Sequence, residues 1–563
     1  MLEKNEFIEK IKSELDSMIN NELCKLSTFN KDEAIIFISH SDGEVRAKVW
    51  NTSPQNNEQA IKKTCGYLSK IHDQKNIFPR FIKVDIVYNI EKIIFSDLLL
   101  EIKSEKLNNY YKNGISFDEN FSIAILEQEI YGNSIINGKI WDQPSTFLEE
   151  NLNKYLKLKY NISKRKKLKN DDKIILFKTK SLFYEDTRTI HLNNEYINNG
   201  IRLVENKDLK AHSLELIEKN SKYLYSQIDS STGKFIYGYI PAMNEKLTNY
   251  NSIRHCTSLY SLLEVFEISD KFIALDKLEK GINYTIENLI KFNNKKTSAY
   301  VIENNNHEME IKLGANAAAI LMFTKYMEIT KSEKYLIITE KLANGILDMI
   351  KKDGSTIHII NYPSLEIKEE FRVIYYDGEA ALSLLRLYQI NNDPKLLRTV
   401  ELMYENFIEK DYWKYNDHWL SYCTNELSLI SPKSKYIEFG IKNYIPYLKR
   451  YKFRRTARGT FLEMLMASYK MVTRLNYEAN IELLKNSKFD ELCDVINTRV
   501  EYQRVVGFFY PEFSIYFKKP NIIMNSFFVR QENFRTRIDD NEHNLSGYIA
   551  YYLHFKNIQK TVT

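Results

Sequence analysis

Acids, histidines and arginines recur at one position of a repeated pattern in this 563-residue chain, the start of an apolar helical run. In chain order they are Arg254 and His255, then Asn316, then Asp377 and Glu379, then Asp417, His418 and Trp419. Arg455, Arg458 and Glu463 follow, and the last set is Arg535, Arg537, Asp539, Asp540, His543 and Asn544. Two carboxyl groups facing each other across a sugar ring can divide acid and base work, one kept neutral and the other ionised. Glu379 or Asp377 set against Asp539 or Asp540 would supply that pair. A histidine can instead take a proton from carbon beside a carbonyl or carboxylate. His255 and His418 are candidates for that, with Arg254, Arg458 or Arg537 holding anionic oxygens. Asn316, Trp419, His543 and Asn544 complete the expected substrate contacts. Plainer roles compete at each point: Asp377 and Asp417 as helix N-caps, the two histidines as satisfied core residues, Arg535 and Arg537 as partners of Asp539 and Asp540. Glu379 sits in the apolar run YYDGEAALSLL, where burial of two acids without purpose is costly.

The elements that must position these residues form a repeat. Segments from Ser258 (SLYSLLEVFEISDKFIALDKLEKGINYTIENLI), Asn316 and Gly378 each read as an almost wholly apolar helix, a polar break, and a more amphipathic helix. That contrast predicts an inner helix buried all round and an outer helix with one wet face. HWLSYCTNELSLI with YIEFGIKNYIPYLK predicts a fourth pair, and GTFLEMLMASYKMVT with YEANIELLKNSKFDELCDVI a fifth. An outer-type helix at 212–228 has no partner before it, and an inner-type helix from about Asn544 has none after it. Pairing the two closes six inner and six outer helices into an (α/α)6 toroid, where an open solenoid would want polar caps. The inner helices of such a ring run parallel, so their N-termini share one face, the natural mouth.

The hairpin YYDGEAALSLLRLYQINNDPKLL resembles the Tyr-Tyr-x-Gly-Glu-Ala pattern of α/α-toroid proteins of glycan processing, including glucuronyl C5-epimerase-like and N-acylglucosamine 2-epimerase-like chains. NDHWLSYCTNELSLI and RIDDNEHNLSGYI fit the same group as helix-starting site motifs. The resemblance implies a toroid over about 340 residues and a sugar substrate. The paired catalytic histidines of the 2-epimerases have no assured counterpart in this sequence.

Residues 1–195 read as a small α/β domain, making the whole an α+β N-terminal domain followed by an all-α toroid over 196–563. Phe7, Ile8, Ile11, Leu15, Met18 and Ile19 lie at helical spacing. AIIFISHSDGEVRAKVW predicts two strands around a turn, FIKVDIVYNIEKI a strand, and KIILFKTKSLFYED with TRTIHL a strand pair. NEQAIKKTCGYLSKIHD and DENFSIAILEQEIYG are expected to be helices. GEVRAKVW, PRFIKVDIV and the segment from Gly114 loosely resemble the AMMECR type of α/β domain, which implies a recognition or docking module here and no catalytic role for Pro79, Arg80 or Phe81.

Composition narrows the classes. Lys+Arg of 80 against Asp+Glu of 74 leaves +6, too little over this length to point to nucleic acid. The basic cluster at 157–170 reads as a solvated linker. Cys24, Cys65, Cys256, Cys423 and Cys493 are scattered, which predicts free thiols. No run reaches membrane-spanning length, and the N-terminus has no signal-peptide core, so a cytoplasmic protein is expected. Phosphate-loop, G-x-S-x-G, H-E-x-x-H and dinucleotide motifs are absent. No local spacing nominates a metal, although Asp417, His418 and His543 carry ligand chemistry, and no cofactor is expected. The expectation is a carbohydrate-active enzyme, hydrolase, epimerase or lyase, on an acidic sugar or surface-polymer precursor, bound as a small molecule or oligosaccharide. Tyr260, Tyr375, Tyr376, Trp413 and Trp419 would wall its site. The alternatives are a non-catalytic helical-ring scaffold and a tailoring enzyme acting on a peptide.

Overall fold

The computed structural model describes residues 3–21, 33–138, 145–162, 166–193, 200–305, 308–475 and 481–556. Cys24 and part of the basic cluster, 163–165, lie outside these residues; the other four cysteines are free thiols. Among the described residues no helix is long and apolar enough to cross a membrane.

The chain divides into two compact units: Met1–Glu205 with Tyr239–Lys246 and Val505–Thr536, and Asn206–Gly238 with Leu247–Arg504 and Arg537–Thr563. A single boundary near 195 is therefore not what the chain adopts, because a C-terminal segment joins the first unit.

The first unit is built on an antiparallel sheet in the order Lys48–Asn51, Ile36–Ser41, Phe81–Ile94, Lys173–Glu185, Gly114–Ser116, Ala124–Ile125, with Arg188–His191 also paired to Lys173–Glu185. Alternation sends Ile36 and Ile38 to one core with Ile82, Val84 and Ile86, where helices Lys4–Asn21 and Asn57–Lys75 deliver Phe7, Ile11 and Leu68. Phe37, Phe81, Phe177 and Phe183 point into another core, which Ile515 and Tyr516 complete. The returning segment is tied in by Ala47 N–H donating to Ile515 O at 2.7 Å and by Arg202 donating to both oxygens of buried Glu512 at 2.9 and 2.8 Å. The expected helix over 118–132 forms only as Glu127–Gly132. Asp118 takes the N–H groups of Asn120, Ser122 and Ile123 instead, and Phe121 has φ of 55°, which breaks the run into a turn and the short strand Ala124–Ile125.

The second unit is the ring. Its inner helices are Ser252–Glu264, Leu313–Thr330, Tyr375–Asn391, His418–Ile430, Gly459–Thr473 and Ile538–His554. Each packs on the next and the sixth packs on the first, so the ring is closed. Outer helices Leu209–Ser226, Leu275–Tyr284, Leu336–Leu347, Pro394–Glu409 and Ser434–Tyr444 lie outside it, and Phe489–Gly507 completes twelve. The first outer helix packs on the sixth inner one, with Asn220 Nδ2 donating to Asn541 Oδ1 at 2.7 Å. Burial follows the sequence contrast: every residue from Leu313 to Met327 is buried, whereas Pro394–Glu409 buries one face.

Candidate active site at the mouth of the helical ring

The starts of the third to sixth inner helices bring Glu379, His418, Glu463, Asp539, Glu542 and His543 near one another. His543, on the first turns of the sixth helix, donates Nδ1–H to Glu463 Oε2 of the fifth at 2.8 Å. Its Nε2 lies 3.3 Å from Glu542 Oε1 and 3.8 Å from Asp539 Oδ1. His418, opening the fourth helix, faces the His543 ring edge-on at 5.2 Å between centroids and puts Nε2 4.0 Å from Glu463 Oε2. Glu463 also accepts from Tyr422 at 3.2 Å. Close approach needs glycine at two helix starts. A Cβ on Gly459 would meet the His543 Cβ at 2.6 Å, and one on Gly314 would meet Glu379 Oε2 at 2.1 Å.

Two polar atoms here are buried without a hydrogen bond, His418 Nε2 and Glu379 Oε2. Burial, then the nearby Asp417, push the Glu379 carboxyl well above its ordinary range, so it is a neutral acid. Burial and the charge of His543 push His418 well below its usual value, leaving a neutral imidazole. Burial opposes charge on His543, but Glu542 and Glu463 hold it well above the usual value as an imidazolium. Burial likewise opposes ionisation of Asp539, yet Arg537 and Arg254 hold its carboxyl below the normal range. Burial raises Glu542. Neutral and charged forms thus alternate within one cluster, the condition for dividing acid and base work.

The cluster is not sealed: the side chains of His543 and Asp539 are 16% and 17% exposed, and beside them Tyr375, edge-on to His418 at 5.5 Å, is 40% exposed. Trp419 flanks His418 at 5.0 Å. Arg254 Nε donates to Asp539 at 2.9 Å and its other arm to Tyr237. Arg537 forks onto Asp540 at 3.0 and 2.8 Å and reaches Asp539 at 2.6 Å. Two of the three arginines expected to hold an anion are thereby committed to acids. Exposed Arg458 carries no ion pair among the described residues. The acidic-substrate expectation loses two of the three cations it relied on, since Arg254 and Arg537 already face Asp539 and Asp540.

Several expected site residues serve the scaffold. His255 is fully buried on the outer side of its helix, with Nδ1 on Tyr250 OH at 2.7 Å and Nε2 on Gly281 O at 3.0 Å. Asp377 takes the Thr356 hydroxyl and His358 Nε2 at 3.1 Å, and His358 Nδ1 accepts from Arg372 and Val373 N–H, so this pair pins the loop before the third inner helix. Asp417 is the N-cap of its helix, accepting from Trp419 N at 3.0 Å and Leu420 N at 3.3 Å. Asp540 is spent on Arg537. Asn316 accepts from Val301 N at 2.6 Å, and Asn544 bridges Gln503 and Asp540 O. Trp413 is held by Asp411 and lines an outer groove with Ile441 and Leu483, away from the mouth, and Tyr260 lies deeper in the bore under Lys325. Arg535 pairs with Glu532 in the first unit. Glu542 escaped sequence reasoning; its only signal was position i−1 to His543. Glu463 was placed at the mouth without a role.

No family model and no curated protein matches this chain. By structure it is similar to a D-mannose isomerase at 12% identity and a TM-score of 0.45, over 61% of this chain and 97% of that chain. It is similar to cellobiose 2-epimerase from Bacillus thermoamylovorans B4167 at 11% identity and a TM-score of 0.47, over 61% and 99%. The α-1,6-mannanase GH76A of Salegentibacter sp. HEL1_6 gives 12% identity and a TM-score of 0.42, over 60% and 98%.

Proposed function

We propose that this chain is a carbohydrate-active enzyme that moves a proton at a carbon of a neutral sugar, as an epimerase or isomerase does. The observation that carries this is the buried, unpartnered Nε2 of His418 set against the ring of His543, whose Nδ1 is clamped by Glu463. A ring that only held a ligand would have no reason to keep a buried nitrogen unsatisfied, since such groups cost stability. His418 Nε2 takes the proton from the carbon beside the carbonyl of the open-chain sugar. The Nδ1 or Nε2 proton of His543 goes to the carbonyl oxygen, giving a neutral enediol. Return of a proton to the same carbon from the opposite face, with the oxygen's proton going back to His543, gives the epimer; return to the neighbouring carbon, with loss of the other enediol hydroxyl proton, gives the ketose. Tyr375 and Tyr237 supply the aromatic wall, and Asp539 with Arg254 the hydroxyl contacts. Incubation of the protein with unphosphorylated aldoses and disaccharides in D2O should place deuterium on the carbon beside the carbonyl, read by NMR. Labelling that persists in His418→Asn would sink the reading.

Glycoside cleavage is the second reading, supported by the neutral Glu379 and the ionised Asp539. It expects new reducing ends from neutral glycans, abolished in Glu379→Gln and retained in His418→Asn.

A further inference from the structure

We propose that His418, Glu463 and His543 form a site for one divalent transition-metal ion, zinc by preference, in which the ion replaces the proton that His543 shares with Glu463. Their ligand atoms all lie within 4.8 Å of one another. Zinc holds nitrogen and oxygen at about 2.0–2.2 Å in a tetrahedron, so two ligands on one ion stand roughly 3.4 Å apart. The pairs His543 Nδ1 to Glu463 Oε2 at 2.8 Å and His418 Nε2 to the same oxygen at 4.0 Å bracket that separation, so small side-chain rotations bring all three onto one ion. Two histidines and one carboxylate make a known catalytic zinc set with one position left open.

Two independent features point the same way. His418 Nε2 is a buried imidazole nitrogen with no hydrogen-bond partner, aimed into the cluster, and its side chain is 5% exposed. Each histidine also turns its other nitrogen to a carboxylate: His543 Nε2 to Glu542 at 3.3 Å, His418 Nδ1 to Asp417 at 3.5 Å. Carboxylates behind ligating histidines fix the ring and raise ligand strength. Tyr422 does the same for Glu463. The neighbouring trio Asp539, Glu542 and His543 suits an ion less well, because Arg254 and Arg537 both sit on Asp539.

The balance is simple: the ion binds His543 Nδ1, the Nδ1 proton leaves to solvent, and His418 Nε2 gives its lone pair to the ion. With both nitrogens taken, neither can move a substrate proton. The consequence, inhibition by zinc, rests on the proton-transfer reading; the site itself does not.

The test uses the full chain stripped with a chelator and dialysed. Addition of Co²⁺ should develop a visible d–d absorption that saturates at one ion per chain and is displaced by Zn²⁺. His418→Asn and Glu463→Gln should abolish it, and Glu542→Gln should weaken binding roughly 10- to 100-fold. Zn²⁺ should stop deuterium labelling of the sugar in the wild type. No absorption, or absorption unchanged in these variants, overturns the site while leaving the proton-transfer reading intact. Saturable binding with labelling accelerated by Zn²⁺ overturns the competition, and with it the metal-free proton transfer.

Discussion

At the far end of the bore Arg386 meets Glu426 at 2.5 Å, and Lys325 bridges Glu267 and Glu328 at 2.7 and 2.8 Å, whereas at the mouth of the same helices Glu379 Oε2 and His418 Nε2 face no partner. Both ends bury charge among apolar helices and hold ion pairs, but the mouth leaves a carboxyl oxygen and an imidazole nitrogen unpartnered where the far end leaves one guanidinium nitrogen, Arg386 Nε. The far end fixes which inner helix lies beside which, since Arg386 and Glu426 come from neighbouring helices. Under the proposed function, the groups left unpartnered at the mouth are the ones a substrate completes. Stability and activity should therefore separate along the helix axis.

The sharpest separation is expected from His418→Asn, which should lower turnover roughly 10²- to 10⁴-fold with little change in melting temperature, measured by sugar labelling and calorimetry. Next, Arg386→Ala should cost about 3–5 kcal/mol by leaving buried Glu426 without its cation, with only Gln389 donating to it at 3.1 Å, and activity per folded molecule should be preserved. Replacing both partners, as Arg386→Met with Glu426→Leu, should recover most of that loss, and a double mutant as unstable as the single one would break the comparison. Glu379→Gln should gain about 1 kcal/mol in denaturant unfolding at neutral pH by removing a buried unpartnered carboxyl. The sign follows from its raised value: the folded wild type is favoured while Glu379 stays protonated, and loses that favour as pH rises above 4.5, the carboxyl's ordinary value, towards its raised folded one. The advantage of the variant should shrink as pH falls towards 4.5. The smallest effect belongs to exposed Lys433, paired with Glu401 on the outer layer, where Lys433→Ala should change stability by less than about 1 kcal/mol.

The ring was legible because composition differs between its layers. NAAAILMF has no wet face and can only be an inner helix, and the unpaired helices at 212–228 and near 544 announced closure. Helix starts could be read too, which placed His418, Glu463, Asp539 and His543 at one level. Direction around a helix could not. His255 and His418 occupy equivalent starts, but one turns outward onto Tyr250 and the other into the bore, and an inner helix that is apolar on all sides carries no periodicity to tell them apart. The aromatic stretch around Phe508, Phe513 and Phe528 was equally mute, since hydrophobicity says that a segment is buried without saying in which core. Aspartates at 377 and 417 looked alike and proved to be a loop clamp and an N-cap.

Ring closure also sets an order of events. The helix that seals the gap, Ile538–His554, is the last inner helix in the chain and must find Ser252–Glu264, the first, across almost 300 residues. Contacts of such sequence separation form late and slowly, because loop entropy is lost before they reward it. Five inner helices emerge from the ribosome as an open arc with an unsatisfied apolar seam, and His543 and Asp539 arrive with the piece that covers it. An arc that failed to close would expose that seam and lack His543 and Asp539, so the proposed site is completed by the same event that covers the seam.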